Sequence, residues 1–176
     1  MRHCKDGEYE YIGHFEDHFT KFNVLFPLKT KTADEVSTLL EERVLGYFGS
    51  SKIFHSDNGR GFVNLLIRAM FDRWGGDVTF VSGWPRYSQS QGLVERGNCT
   101  VEDKLKALKK EEGLQGEWYP WASWPPRITW AMNRQCHETL KDSPYHVVFC
   151  KQPPAGCVLV MNNTVSMRMT SKLTCI

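Results

Sequence analysis

Two acids offer most of the chemistry in this chain, Asp57 and Glu95. Asp57 closes the short apolar run Lys52-Ile53-Phe54-His55-Ser56, which reads as a strand, and Asn58-Gly59 behind it signals a tight turn. Glu95 stands in Ser90-Gln91-Gly92-Leu93-Val94-Glu95-Arg96-Gly97-Asn98, where it is expected in the first turn of a long helix. The 37 residues from 58 to 94 leave room for one helix, one strand and one loop. A strand-end acid and a helix-start acid brought together by such a unit can share a divalent cation. Mg²⁺ takes hard oxygen ligands, usually one or two carboxylates plus substrate phosphates. Each acid also has a plainer reading. Asp57 before Asn58-Gly59 suits a simple turn, and Glu95 suits a solvated acid favoured by the helix dipole. His14 and His18 resemble half a zinc site, but no cysteine pair completes it.

The elements that must position these acids are legible as periodicity. Tyr9, Tyr11 and Phe15 alternate along one strand, and Phe22, Val24, Phe26 and Leu28 along a second, joined by a link short enough for an antiparallel hairpin. Thr32-Ala33-Asp34-Glu35 has the form of a capping box, opening a helix with Val36, Leu40, Val44 and Tyr47 on one face and Gly49 at its end. After the strand to Asp57, Phe62, Leu65, Leu66, Ala69 and Met70 predict another helix, and Val78, Phe80 and Ser82 another strand. Residues 82 to 91 (SGWPRYSQSQ) read as a polar loop, expected to be the least ordered internal segment. Val94, Val101, Leu105 and Leu108 are the buried stripe of the next helix, with Glu95, Asn98, Glu102 and Lys106 on an adjacent stripe. Pro125-Pro126 opens a helix through Ile128, Ala131 and Met132, and Ser143-Pro144 opens a last one. Strands alternating with helices argue for an α/β sheet covered by helices.

Composition sets the bounds. A chain of 176 residues is one domain with room for a proper core, and its net charge of +2 is too small to indicate nucleic-acid binding by itself. No run of about 18 apolar residues appears, so no membrane span is expected. Six cysteines without a CxxC pair read as reduced thiols in an intracellular protein. Lys104, Lys106, Lys109 and Lys110 suit DNA phosphates, yet Glu102, Asp103, Glu111 and Glu112 are interleaved with them, as on an ordinary solvated face. Trp118, Trp121, Trp124 and Trp130 read first as core and second as a base-stacking platform.

Together, HSDNG around Asp57 and SQGLVERGN around Glu95 resemble the second and third acid motifs of the integrase catalytic core of retroviruses and gypsy-type LTR retrotransposons, the DDE family. The resemblance runs from about residue 8 to 154. It takes in Asp17-His18-Phe19-Thr20-Lys21-Phe22 upstream, and Asn133, Ser143-Pro144-Tyr145 and Phe149-Cys150-Lys151-Gln152-Pro153-Pro154 downstream. It is similar in particular to domesticated, integrase-derived genes of animals. Two departures stand out: Gly61 where the family often has glutamate, and Cys150 where it usually has glycine.

The resemblance implies a ribonuclease H-like mixed sheet flanked by helices over residues 1 to 155, with 156 to 176 an unassigned tail. It implies Asp57 and Glu95 as catalytic and metal-binding acids, Mg²⁺ or Mn²⁺ as cofactor, and Gln91, Gly92, Asn98 and Lys106 as nucleic-acid contacts. DNA would be the partner, with a homodimer as in the family, no membrane, no small-molecule cofactor beyond the metal, and a nuclear location. The family's first acid lies on an opening central strand, and neither Asp6 nor Asp17 matches its place. The sheet is therefore expected to lack that strand, metal binding to be weak, and DNA strand transfer to be absent from the chain as written. An active polynucleotidyl transferase is the alternative, if this is a fragment whose upstream aspartate exists in a longer protein. A nuclease of another ribonuclease H-like branch fits the Glu95 and Pro144-Tyr145 segments poorly.

Overall fold

Tyr11–Glu16 (β1) and Asn23–Leu28 (β2) form the expected antiparallel hairpin, with Tyr11 opposite Leu28 and Glu16 opposite Asn23. The computed structural model describes residues 5–56, 65–75, 77–82, 88–116 and 118–154, with backbone alone for Ser82 and for residues 88–96. The hairpin turn is held by Asp17, whose Oδ2 accepts from the Thr20 N–H at 2.8 Å and the Thr20 hydroxyl at 2.7 Å. Gly13 has to be small: a Cβ there would fall 2.2 Å from the Phe26 ring, which lies across β1. The reading of β2 as a one-sided alternation is corrected. Phe26 and Leu28 enter one core cluster and Leu25 the other, so the hairpin is a middle layer buried on both faces.

Ala33–Leu40 (α1) begins at Thr32, but the expected capping box does not form. Glu35 instead accepts from the backbone N–H groups of Lys29 and Thr30, both at 2.7 Å, and from the Thr30 hydroxyl at 2.6 Å. Those two amides lie just past the β1–β2 ladder, and one carboxylate satisfies both. The helix then widens into a π turn over Glu41–Leu45 before Gly46–Phe48 (α2), and Gly49 ends it with φ of 74°. The wider turn rotates the apolar stripe. Val44 and Leu45 are buried, whereas Tyr47, expected inside, is 77% exposed.

Ile53–Ser56 (β3) pairs in parallel with Thr79–Ser82 (β4), from Ile53 opposite Thr79 to Ser56 opposite Ser82. Between them Leu65–Arg73 (α3) buries Ile67, Met70 and Phe71. Its expected face is corrected, since Leu65, Leu66 and Ala69 are exposed, and Phe62 lies outside the described residues. The Phe71 ring sits 5.0 Å from that of Phe54 and 5.6 Å from that of Phe80, and this aromatic trio sets the helix rotation.

Ser88–Glu111 (α4) starts earlier than expected. Nothing in Ser88-Gln89-Ser90-Gln91 breaks a helix, so these residues join it, and the part of the proposed loop at 83–87 lies outside the described residues. Glu95 is therefore about two turns into α4, beyond the reach of the dipole advantage invoked for a first-turn acid. Val101, Leu105 and Leu108 are buried as expected. They pack with Trp121, Trp124 and Ile128 in the second core, which bears out the core reading for two of the tryptophans. Trp118 is 61% exposed.

Pro125–Arg134 (α5) closes the far edge of β2 in place of another strand. Asn133 accepts the Asn23 N–H at 2.7 Å and donates to the Asn23 carbonyl at 2.7 Å, while Thr129 Oγ1 accepts the Leu25 N–H at 2.9 Å. Four helical residues rise about 6 Å and two strand residues about 6.6 Å, so the spacings match. Pro144–Phe149 (α6) is capped by Ser143, whose hydroxyl accepts from the His146 N–H at 3.1 Å. The helix ends on Cys150 at φ 52°, a left-handed conformation that costs a residue with a Cβ about 1–2 kcal/mol. Cys150→Gly is expected to stabilise the protein by about 1 kcal/mol, raising Tm by roughly 2–4 °C in thermal unfolding. An unchanged or lower Tm would mean that the exposed thiol has packing worth more than that strain.

The mixed α/β architecture is as expected. Among the described residues, β1–β2 and β3–β4 are separate two-stranded ladders. No helix among the described residues is long and apolar enough to cross a membrane.

Candidate functional site

Because β3 and β4 run parallel in register, Ser56 and Ser82 end at the same edge. Asp57 follows Ser56 in sequence, and α4 begins six residues after Ser82. The carboxyl ends of parallel strands are where ligands of open α/β folds bind. Asp57 itself lies outside the described residues, and Gln91, Gly92 and Glu95 are described by their helical backbone alone, so the facing of the two carboxylates stays outside the description as well. Helix α4 does bring Gln91, Gly92, Glu95, Asn98 and Lys106 onto one rod. Asn98 and Lys106 are exposed and Glu102 is half-buried, in keeping with a partly exposed stripe.

The lysines of α4 are largely engaged within the chain. Lys106 lies 3.2 Å from Asp103, Lys104 donates to Gln135 Oε1 at 3.0 Å, and Lys109 bonds the Gly116 carbonyl and sits over the Tyr119 ring. Burial holds the Lys104 pKa below the usual lysine range.

Periodicity did not single out the polar cluster beneath α4. His14, Glu16 and Asn23 of the hairpin are all buried, with Asn133 of α5 beside them. A Cβ built on Gly97 would lie 3.4 Å from His14 Cε1 and 4.0 Å from Glu16 Oε2, so α4 crosses β1 two residues past Glu95. The available signal was the alternation of β1, which puts His14 and Glu16 opposite Phe15; that a helix covers this side is a tertiary fact. Asn23 Nδ2 donates to the Lys21 carbonyl at 2.8 Å, which leaves Asn23 Oδ1 to accept from His14 Nε2 at 2.7 Å. Among the described residues His14 Nδ1 is buried without a hydrogen-bond partner, which suits a neutral imidazole.

Burial pushes the His14 pKa down, opposed by the bond to Asn23. The folded state therefore resists a proton that the unfolded chain takes up below the ordinary imidazole value of about 6.5. Stability should be full above that pH and fall as the pH drops below it. His55 and His137, also lowered by burial, act with the same sign. Urea unfolding at pH 7.5 and 5.0 should show the loss, and His14→Gln should remove part of it. An equal loss in that variant would exclude His14 as a source.

The remaining candidates are committed to structure. Asp6 Oδ2 accepts from the Ala122 N–H at 2.8 Å, and Asp17 holds the hairpin turn. His14 is buried in β1 while His18 is exposed on the turn, so the half zinc site does not assemble. No group of three His, Cys, Asp or Glu side chains placed to hold a metal occurs among the described residues.

Strand pairs layered between helices in this order make a ribonuclease H-like fold of the integrase type. The catalytic core domain of BIV integrase matches with a TM-score of 0.57 at 22% identity, over 77% of this chain and 83% of that one. A chain from a simian T-cell lymphotropic virus intasome, solved with PP2A regulatory subunit B56 gamma, matches with 0.64 at 15% identity, over 94% and 58%. In sequence, the chain is 29% identical over 149 residues to human (Homo sapiens) KRAB-A domain-containing protein 2, covering 85% of this chain and 29% of that protein. It is 32% identical over 152 residues to the Gag-Pol polyprotein of woolly monkey sarcoma virus, covering 85% and 9%. The chain thus spans under a third of the first relative and under a tenth of the second. No family model matches it. This is an integrase-core-like protein of retroelement origin.

Proposed function

We propose that this chain is a DNA-binding domain that keeps the DNA-facing helix of an integrase core and has little or no strand-transfer activity as it stands. The observation that carries the reading is α4, one continuous helix from Ser88 to Glu111 that starts beyond the carboxyl edge of the parallel pair and exposes Asn98 and Lys106. Gln91, Gly92 and Asn98 would lie against the sugar–phosphate backbone, and Lys106 would exchange Asp103 for a phosphate. Relatives described as Gag-Pol polyproteins and an intasome support the choice of DNA and of a self-associating core, and the proposal of a nuclear location rests on the motif resemblance alone.

Asp57 and Glu95 are hard oxygen donors, which in type fit Mg²⁺ or Mn²⁺. In number they suit one loosely held ion, since Asp6 and Asp17 are spent on backbone amides. A divalent ion bound there would supply charge neutralisation at a phosphodiester.

Fluorescence anisotropy with labelled duplex and branched DNA, from 50 to 200 mM salt, tests the reading. Lys106→Ala should weaken binding to all sequences and reduce the salt slope by about 0.9, the share of one phosphate contact. Asn98→Ala should weaken binding with the slope unchanged. No binding at 50 mM salt, or slopes indifferent to Lys106, would rule out α4 as the DNA face.

A further inference from the structure

A half-open pocket of about 380 Å³ lies among the hairpin, the α1–α2 helix, β3, α3 and α6, and its wall is chemically mixed. Phe15, Phe54 and Phe71 give it a buried aromatic side, and the rings of Phe22 and Phe48 extend that side toward solvent. Asp17, Thr20, Ser50 and Ser51 make another part of the wall polar. Among the described residues Asp17 is the only charged side chain in the lining. We propose that this pocket binds a small organic cation, an ammonium group carried on an apolar body the size of a ring or two, with the ammonium against the Asp17 carboxylate. None of the described lining belongs to α4, so this site and the DNA-binding reading stand independently.

Charge selects the sign of the ligand. Asp17 spends Oδ2 on the Thr20 N–H and hydroxyl, while Oδ1 accepts no hydrogen bond from the described residues. A carboxylate has about four lone-pair sites, so room remains for an ammonium donor. An anion would meet Asp17 with no cation in the described lining to offset it. The aromatic side points the same way. A cation within about 6 Å of a ring centroid is attracted by the ring face, and the Phe22 and Phe48 rings stand 5.4 Å apart, tilted by 58°.

Size and donor set select an organic ligand over a metal ion. Small-molecule pockets of about 300–1,000 Å³ are mostly apolar with a few placed polar groups, which describes this wall. A hard metal ion takes several oxygen ligands, and the described lining offers a single carboxylate. Ser51 supplies a further polar group. Its Oγ is buried without a hydrogen-bond partner among the described residues, so turning the hydroxyl toward a ligand would gain a bond and break none there.

An amide-resolved NMR titration of the 176-residue chain at pH 7.5 tests the site with three probes that share one ring system: tryptamine, indole and indole-3-propionate. Tryptamine should bind about tenfold more tightly than indole, and indole-3-propionate more weakly than either, with shifts centred on Asp17, Ser51 and Val148. Asp17→Asn keeps an oxygen that can accept from Thr20 and removes the charge. It should abolish the preference for tryptamine and leave indole binding as it was, a split that loss of the fold would not give. Val148→Trp, at a half-buried wall position, should weaken tryptamine and indole alike. Tryptamine binding no more tightly than indole, or a preference that survives Asp17→Asn, would overturn the proposal. So would the absence of shifts around Asp17 and Val148 with any probe in the millimolar range.

Discussion

Incubated with branched DNA and Mg²⁺ or Mn²⁺, the 176-residue chain is expected to give no strand-transfer or disintegration product above background. In-line transfer of a phosphodiester uses two metal ions about 3.5–4 Å apart, and holding both takes three carboxylates, one of them bridging. Asp57 and Glu95 would be two. The other aspartates near the start of the chain are held by the Ala122 amide and by Thr20. A deficit of about 4 kcal/mol in transition-state stabilisation is roughly a thousandfold in rate. A version extended ahead of Met1 by a strand carrying aspartate should recover metal-dependent product, and Asp57→Asn in that version should abolish it. Metal-dependent product from the unextended chain, lost in Asp57→Asn, would show that another group takes the third role. Glu16→Gln would then be the first variant to try, since Glu16 is the buried acid beneath α4.

The second large effect is expected at Asn133, which is 2% exposed and far from the acid motifs in sequence. Its amide holds both the N–H and the carbonyl of Asn23. Asn133→Leu keeps the approximate volume and strands both backbone groups in the interior, at about 1–3 kcal/mol each. A loss of about 3 kcal/mol should appear in urea unfolding, with Tm lower by roughly 6–12 °C. Since Asn23 also orients His14, the pH dependence of stability should change in the same variant. A Tm within about one degree of the parent would mean that water replaces the amide and that α5 does not serve as the surrogate partner of β2.

Local rules made much of this protein legible. The hairpin, the strand ending at Ser56, the Ser143 cap and the buried stripe of Val101, Leu105 and Leu108 follow from alternation, capping chemistry and helical spacing, which each segment carries in itself. The acid motifs around Asp57 and Glu95 carry the family resemblance, and the fold agrees with it. The glycine usual in the family at position 150 also gains a physical reason, because the chain there is left-handed and cysteine occupies it under strain.

Other features depend on what each element meets. Apolar residues are spread so widely around α3 that periodicity favoured Leu65 and Leu66, and it was the rings of Phe54 and Phe80 that selected Phe71 instead. A π turn, invisible to a fixed helical period, moved Tyr47 to the surface. Glu35 was drawn from its capping box by two amides at the end of a strand before the helix. The burial of His14 and Glu16 required α4 to lie over the hairpin, and the pairing of Asn133 with Asn23 joins residues 110 positions apart. Sequence by itself indicated most of the strands and helices, though not the start of α4, and supplied the two acid motifs that resemble the integrase pattern. Which polar groups are buried, and with what partners, was decided by tertiary packing, because a buried hydrogen bond is set by the element on its far side.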